Sequence, residues 1–168
     1  SFTLQGHQSG YLASQMFDLD ADSLRQWFDG RVDGPDIHLI ASDARLADME
    51  KRSVSEASAS FRANVAALAD CGFDVVLVDT APSLGVGMAA ALFAADYVLS
   101  PIELEAYSIQ GIKKMVTAIA NVRKVNTKLK FLGMMPSKVD ARNPRHLRHL
   151  EELHKAYPQL MIPASIGL

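Results

Sequence analysis

The chain has 168 residues, a single-domain length, and 49% of them are hydrophobic, which is enough to build a core. We therefore expect one domain over residues 1–168. The single cysteine excludes an internal disulfide framework and fits a reducing cytosol. No run approaches the roughly 18 apolar residues of a membrane span and no signal peptide opens the chain, so we expect a soluble, cytoplasmic protein.

The net charge of −2 conceals an asymmetry along the chain. Residues 1–100 contain 6 Lys and Arg against 14 Asp and Glu, whereas residues 101–168 contain 11 against 5. A basic second half predicts a surface that can meet a polyanion. Ordinary solvated helix faces would give the same counts, so the charge alone leaves both interpretations open.

The first part of the chain is predicted to form short helices around one strand. Its predicted elements are helix Gly10–Phe17, helix Ser23–Phe28, strand Ile37–Ala41, a helical turn or two over 42–51 and helix Val54–Ala69. Asp22 or Ser23 is the expected cap of the second helix. Gly72 is expected to end the long one.

The rest of the chain alternates between strands and helices. A near-continuous β-branched run, Phe73–Asp79, is typical of a central parallel strand covered on both faces. After a loop over 80–87, the predicted elements are helix Met88–Ala95, strand Tyr97–Ile102, helix Ile109–Val125, strand Lys130–Met135, helix Pro144–Tyr157 and strand Met161–Ala164. This alternation predicts an α/β fold with a mostly parallel sheet and helices on both faces.

The end of the predicted central strand is the strongest candidate site. Open α/β sheets bind ligands at the carboxyl ends of their strands, and this strand runs into D-T-A-P-S-L-G, which begins at Asp79. A carboxylate there can hold a hydrated Mg²⁺ beside a nucleotide phosphate, and Thr80 can add a hydroxyl. Pro82 and Gly85 would shape a loop whose amides sense a γ-phosphate. Many strands end in Asp, so the pattern taken alone also fits a structural role.

The stretch from Phe73 to Met115 closely resembles the ParA/MinD family of deviant Walker ATPases. After D-T-A-P-S-L-G comes an alanine-rich helix, then A-D-Y-V-L-S-P, and then Tyr107 and Gly111 at the opening of a long helix. Segments 37–50 and 130–142 are similar to further parts of the family pattern. The resemblance implies a P-loop NTPase-like α/β fold of ParA/MinD type, incomplete at its N-terminus.

The resemblance also implies a partition ATPase that uses ATP and Mg²⁺. Asp79 would lie near the Mg²⁺, and the switch loop Thr80–Gly85, which includes Pro82 and Ser83, would sense the γ-phosphate. The residues expected near the adenine are Pro136, Ser137, Lys138 and Asp140.

The implied partners are a second copy of the chain, double-stranded DNA bound without sequence preference, and a ParB-like protein that stimulates hydrolysis. The implied place is the bacterial nucleoid, with no membrane contact. Neutralisation of phosphates by Lys and Arg is the physical basis of such DNA binding. The candidates for DNA contact form two basic groups: Arg142, Arg145, Arg148 and Lys155, and Arg123 with Lys124.

The family's phosphate-binding loop, K-G-G-x-G-K-S/T, does not occur in these 168 residues, and the chain does not begin with Met. We expect a fragment of a longer ATPase that does not hydrolyse ATP alone and has no catalytic residue of its own. Unpaired strand edges should make the isolated chain self-associate. Two alternatives stay open: a non-catalytic interaction module of the same fold, and a MinD-like membrane-associated division ATPase.

Overall fold

The computed structural model describes residues 6–18, 20–32, 37–81, 85–104 and 109–167. These residues form strands and helices in an α/β arrangement that falls into two compact units, Ser1–Ala94 and Ala95–Leu168. Each unit has its own hydrophobic core. The expectation of a single domain over the whole chain stays a prediction.

The first unit contains a parallel pair of strands, β1 (Gly6–Leu12) and β2 (Ile37–Ala41). The predicted strand at 37–41 is therefore confirmed with its bounds. The predicted helix Gly10–Phe17 is wrong in its first half, because residues up to Leu12 pair with β2 and only α1 (Gln15–Asp18) is helical. Strand pairing satisfies the backbone groups that a helix would have satisfied, and it buries Tyr11.

Four further helices complete this unit: α2 (Ala21–Phe28), α3 (Leu46–Met49), α4 (Val54–Asp70) and α5 (Val86–Ala94). The cap of α2 is Asp20 rather than Asp22 or Ser23, and its carboxylate accepts the N–H of Ser23 at 2.8 Å. Ser53 caps α4 by accepting the N–H of Glu56 at 3.3 Å. Both caps satisfy amides that lack an intrahelical partner.

The long helix α4 provides the main apolar surface of the first unit. It packs against α1, α2 and α5, and its residues Phe61 and Leu68 are buried in the core. Phe61 stacks on Phe17, with ring centroids 4.8 Å apart. The prediction of a helix at 54–69 is confirmed to within one residue at its end.

The predicted central strand Phe73–Asp79 is wrong as a statement about this structure. Residues 73–81 have no strand pairing, and the side chains of Val75 and Leu77 are 73% and 92% exposed. A strand forms only where neighbouring backbone takes up its hydrogen bonds, and no segment among the described residues pairs with this one. The β-branched composition suits a buried strand, but composition cannot supply the partner.

The second unit is built on the parallel pair β3 (Tyr97–Glu103) and β4 (Lys130–Ser137), with α6 (Ile109–Arg123) connecting them. This βαβ unit is the one predicted, and it confirms the α/β fold class with parallel strands. Helix α7 (Pro144–Ala156) follows, as expected from its proline at the first turn. The core joins α6, β4 and α7 through Ile112, Met134 and Leu153.

The last predicted strand, Met161–Ala164, is wrong, because this segment forms only an isolated bridge between Met161 and Met134. The N–H of Met134 donates to Leu160 at 2.6 Å, and the N–H of Ile162 donates to Met134 at 2.9 Å. These two hydrogen bonds make a single bridge, which is too short for a strand. Within the described part of the chain, no helix is long and apolar enough to cross a membrane.

Gly133→Ala should lower the free energy of unfolding by about 1–3 kcal/mol. The φ angle of Gly133 is +129°, and a Cβ there would lie 2.7 Å from the carbonyl oxygen of Leu160. The matched control is Gly6→Ala, since a Cβ at Gly6 meets nothing within 4 Å. Urea denaturation followed by circular dichroism measures both, and equal losses would contradict the close approach.

Candidate functional site

The predicted phosphate-sensing loop leads from Asp79 to the start of α5. Asp79 is exposed and Thr80 is half-buried, and both lie in the segment without strand pairing. Pro82 and Ser83 lie outside the described residues. Gly85 is half-buried and directly precedes α5. Asp79 as a metal ligand stays a prediction, since the described residues hold no group of three His, Cys, Asp or Glu able to bind a metal.

The start of α5 is closed by the carboxylate of Glu50, a residue that the sequence did not single out. Its Oε2 accepts the N–H of Val86 at 2.9 Å, and its Oε1 accepts the N–H of Gly87 at 3.1 Å. The first amides of a helix have no intrahelical acceptor and carry the positive end of the helix dipole. An anion is therefore the favoured partner, and the chain supplies one from 36 positions earlier.

Gly85 makes room for this carboxylate. A Cβ at position 85 would lie 2.7 Å from Cδ and 2.8 Å from Oε1 of Glu50, closer than real Cβ contacts occur. The sequence predicted Gly85 as a cofactor-binding residue, which stays a prediction, and the structure shows it beside the carboxylate of Glu50. No local sequence signal connects the two residues, because only the fold brings them together.

The residues predicted near the adenine lie in one turn at the carboxyl end of β4. Pro136 is buried and Ser137 is half-buried, both at the end of the strand. Lys138 follows with φ +54°, in the left-handed region, and its Nζ pairs with Oε1 of Glu103 at 2.6 Å. The four residues are thus neighbours, and their contact with an adenine stays a prediction.

Asp140 is the fourth of these residues, and it organises the start of the loop before α7. Its N–H donates to Nδ1 of His146 at 3.1 Å, so this buried ring nitrogen is an acceptor. Its carboxylate accepts the side-chain Nε of Arg142 at 3.1 Å and the backbone N–H of Arg142 at 2.9 Å. These hydrogen bonds from the Arg142 side chain and backbone hold the pKa of Asp140 below its usual value.

The six residues predicted to contact DNA are all exposed and all belong to the second unit. Arg145 and Arg148 are one turn apart on α7, and neither makes an ion pair with a described residue. Three of the others have polar partners: Arg142 pairs with Asp140, Lys155 lies 3.9 Å from Glu151, and Lys124 bonds the Asn121 side chain. Arg123 ends α6. DNA contact by these residues stays a prediction.

Comparisons with known proteins agree with this architecture. A family model described as an AAA domain matches residues 15–131. Protein IncC of Escherichia coli is 61% identical over 167 residues, which cover 99% of this chain and 46% of IncC. The chromosome partitioning protein ParA of Caulobacter vibrioides is 32% identical over 113 residues, which cover 65% of this chain and 42% of ParA.

A solved structure shares the α/β fold of this chain. Cobyrinic acid a,c-diamide synthase of Mycobacterium smegmatis, with bound ADP and magnesium, superposes with a TM-score of 0.66 at 26% identity. The match covers 96% of this chain and 72% of that one.

Parallel strands joined by helices give an α/β fold like that of P-loop NTPases of the ParA/MinD type. The chain belongs to the AAA-domain family that matches it, in the ParA/MinD group that includes the partition proteins. This confirms the resemblance seen in residues 73–115. The matched residues cover less than half of IncC and less than half of ParA.

Asp140→Asn should remove part of the stability loss that accompanies acidification. A carboxyl whose pKa is lowered by folding contributes stability above its unfolded pKa and loses it as the pH falls through the folded pKa. The contribution of Asp140 to the free energy of unfolding is therefore lost below about pH 4. Urea denaturation at pH 7 and pH 3 should show a smaller difference for Asp140→Asn than for the wild type.

Arg142→Gln is the companion variant, because it removes the same ion pair from the other side. Like Asp140→Asn, it should make the difference between the free energies of unfolding at pH 7 and pH 3 smaller than in the wild type. A wild-type difference that neither variant changes would contradict this assignment.

Proposed function

We propose that this chain is the switch-loop and DNA-binding part of a ParA-type partition ATPase. In the whole protein, ATP with Mg²⁺ controls dimerisation and nonspecific DNA binding, and a ParB-like partner stimulates hydrolysis at the bacterial nucleoid. The observation that carries this proposal is the D-T-A-P-S-L-G segment running directly into α5, whose first amides already bind a carboxylate. Helix N-termini are the usual binding places of phosphates, because their amides and the helix dipole favour an anion.

The residues around Asp79 fit a magnesium ion. Asp79 presents an exposed carboxylate and Thr80 follows with a hydroxyl, and oxygen donors of this kind are the ones Mg²⁺ takes beside phosphates. When bound, the ion neutralises charge on the nucleotide phosphates. Asp79 would hold the ion through its hydration shell, and the loop from Thr80 to Gly85 would respond to the γ-phosphate.

Phosphate-cradling amides of the P-loop type are not among these residues, since no G-x-x-x-x-G-K-S/T occurs in the sequence. In our proposal they come from another part of the whole protein. IncC, at more than twice this length, has room for such a segment.

The DNA-binding part of the proposal is carried by α7. Arg145 and Arg148 present two guanidinium groups without ion-pair partners among the described residues. Their charge can neutralise DNA phosphates without breaking an existing pair, whereas Arg142 would first have to leave Asp140. No base-specific contact is needed for nonspecific binding.

A non-catalytic interaction module is the second candidate function. It is favoured by the exposed apolar side chains of Val75 and Leu77, which suit a strand that pairs with other backbone. Such a module would use this segment to bind a partner and would need no nucleotide. A nucleotide titration separates the two candidates.

Asp79→Ala should weaken the binding of a fluorescent ATP analogue at least tenfold in a protein of the relatives' length, with Mg²⁺ present. The 168-residue chain alone should not bind the analogue saturably. Asp74→Ala is the matched control, an exposed aspartate in the same segment. If Asp79→Ala and Asp74→Ala bound equally well, Asp79 would have no role at the metal. If the longer protein did not bind, the interaction module would be favoured.

Arg145→Ala with Arg148→Ala should weaken duplex DNA binding and reduce the slope of log K against log salt by about 2. Two lost phosphate contacts release about two fewer counterions. The control pair, Lys51→Ala with Arg62→Ala, removes two exposed cations from the first unit. Fluorescence anisotropy at several salt concentrations measures the slope, and an unchanged slope would exclude this face of α7.

A further inference from the structure

The start of α5 is held by a carboxylate in a geometry that uses both of its oxygens. Oε2 of Glu50 faces the N–H of Val86 and Oε1 faces the N–H of Gly87, at 2.9 and 3.1 Å. Two separate oxygen acceptors fix the orientation of the carboxylate as well as its position. The helix start, which is also the end of the loop from Thr80 to Gly85, is therefore tied to the segment that carries Glu50.

That segment is itself anchored to the first unit at several points. Arg45 pairs with Asp18 at 2.6 Å, and Arg52 pairs with the same carboxylate. Arg52 also donates to the carbonyl oxygen of Phe17 at 3.1 Å. Between these two arginines Met49, the neighbour of Glu50, is buried in the core. The contacts of these neighbouring residues hold the backbone at Glu50 in place, although the side chain of Glu50 is itself exposed.

The space for Glu50 exists because residue 85 has no side chain. A Cβ there would come within 2.8 Å of Oε1 and 2.7 Å of Cδ, so an alanine at this position would displace the carboxylate. The displaced group is the far end of a flexible side chain, which can move away without disturbing the backbone. The contact at the start of α5 therefore depends on both Gly85 and Glu50, which lie far apart in the sequence.

We propose that Glu50 is a positioning residue of the phosphate-sensing loop, acting through the amides of Val86 and Gly87. This inference rests on the proposed function, because it assigns the loop a γ-phosphate to sense. With Glu50 in place, the start of α5, where the loop ends, is already held before a nucleotide arrives. Without it, fixing this helix start has to be driven by the nucleotide, which lowers the affinity for the ligand that uses it.

The γ-phosphate provides a readout that a general loss of stability would not give. ATP and ADP share every contact except those to the γ-phosphate, so a loosened sensing loop should affect ATP far more than ADP. Loss of the metal ligand Asp79 should weaken both, since Mg²⁺ also contacts the β-phosphate. The ratio of the two affinities therefore reports on the loop alone.

The first experiment is amide hydrogen exchange on the chain itself. In Glu50→Ala, the amides of Val86 and Gly87 should exchange up to about fivefold faster than in the wild type. Glu50→Gln keeps one carbonyl acceptor and should protect one of the two amides. Asp48→Ala is the matched control, because Asp48 lies two residues before Glu50 and pairs with Lys51 rather than with the start of α5. Faster exchange in Asp48→Ala equal to that in Glu50→Ala would overturn the assignment.

Gly85→Ala tests whether Gly85 and Glu50 act through the same contact at the start of α5. It should speed exchange at Val86 and Gly87 as Glu50→Ala does, and the double variant should exchange no faster than either single one. Such strong non-additivity is expected only when both changes remove the same contact. Additive effects would show that Glu50 and Gly85 act separately and would overturn the proposal.

The second experiment measures binding of an ATP analogue and of ADP, with Mg²⁺, to a protein of the relatives' length. Glu50→Ala should lower the ATP-over-ADP preference at least threefold, and Glu50→Gln should restore part of it. A wild type that binds the two nucleotides equally would refute the proposed γ-phosphate sensing. A wild type that prefers ATP, with the same preference in Glu50→Ala, would refute only the positioning role.

Discussion

Every parallel strand in this protein depends on a neighbouring strand that takes up its backbone hydrogen bonds. β1 exists beside β2, and β3 exists beside β4, each pair with its own register. The segment 73–79 has the composition of the best strand in the chain, yet it pairs with no strand among the described residues. Its apolar side chains are consequently exposed. The availability of a partner, rather than propensity, decides where the sheet forms.

The polar residues near the candidate sites are mostly engaged with one another. Lys138 holds Glu103, Arg142 holds Asp140, and Glu50 holds the start of α5. Such pairs are modest in energy on an exposed surface. They nevertheless hold each side chain in a defined place in the absence of a ligand.

The same sequence carries two kinds of information about function. The segment D-T-A-P-S-L-G places the chain in its family, and the AAA-domain match over 15–131 confirms this placement. The asymmetric charge is a separate signal. The basic half of the chain contains the second unit, and the exposed arginines of α7 belong to that unit. A chain that spans under half of IncC contains the D-T-A-P-S-L-G segment and the basic segments together, and no G-x-x-x-x-G-K-S/T occurs in its sequence.

Several elements were predictable because their signals are local. Helix α4 follows from its apolar spacing and its serine cap, α7 from Asn143 and Pro144 at its start, and β2 from a short apolar run. The strand at β1 was missed because S-G-Y-L has no strong preference of its own. Of the candidate site, the D-T-A-P-S-L-G segment and the basic residues were predictable from sequence patterns.

Tertiary structure alone decided the contacts between distant parts of the chain. Glu50 could not be found from the sequence, since its role requires α3 and the start of α5 to meet across 36 positions. The choice of Asp20 over Asp22 as the cap of α2 likewise depends on where the helix begins in space. The sequence by itself determined the family, most of the helices and the charge of each half. Pairing partners and the groups that close helix ends were decided by the fold, because hydrogen bonds depend on distance in space rather than along the chain.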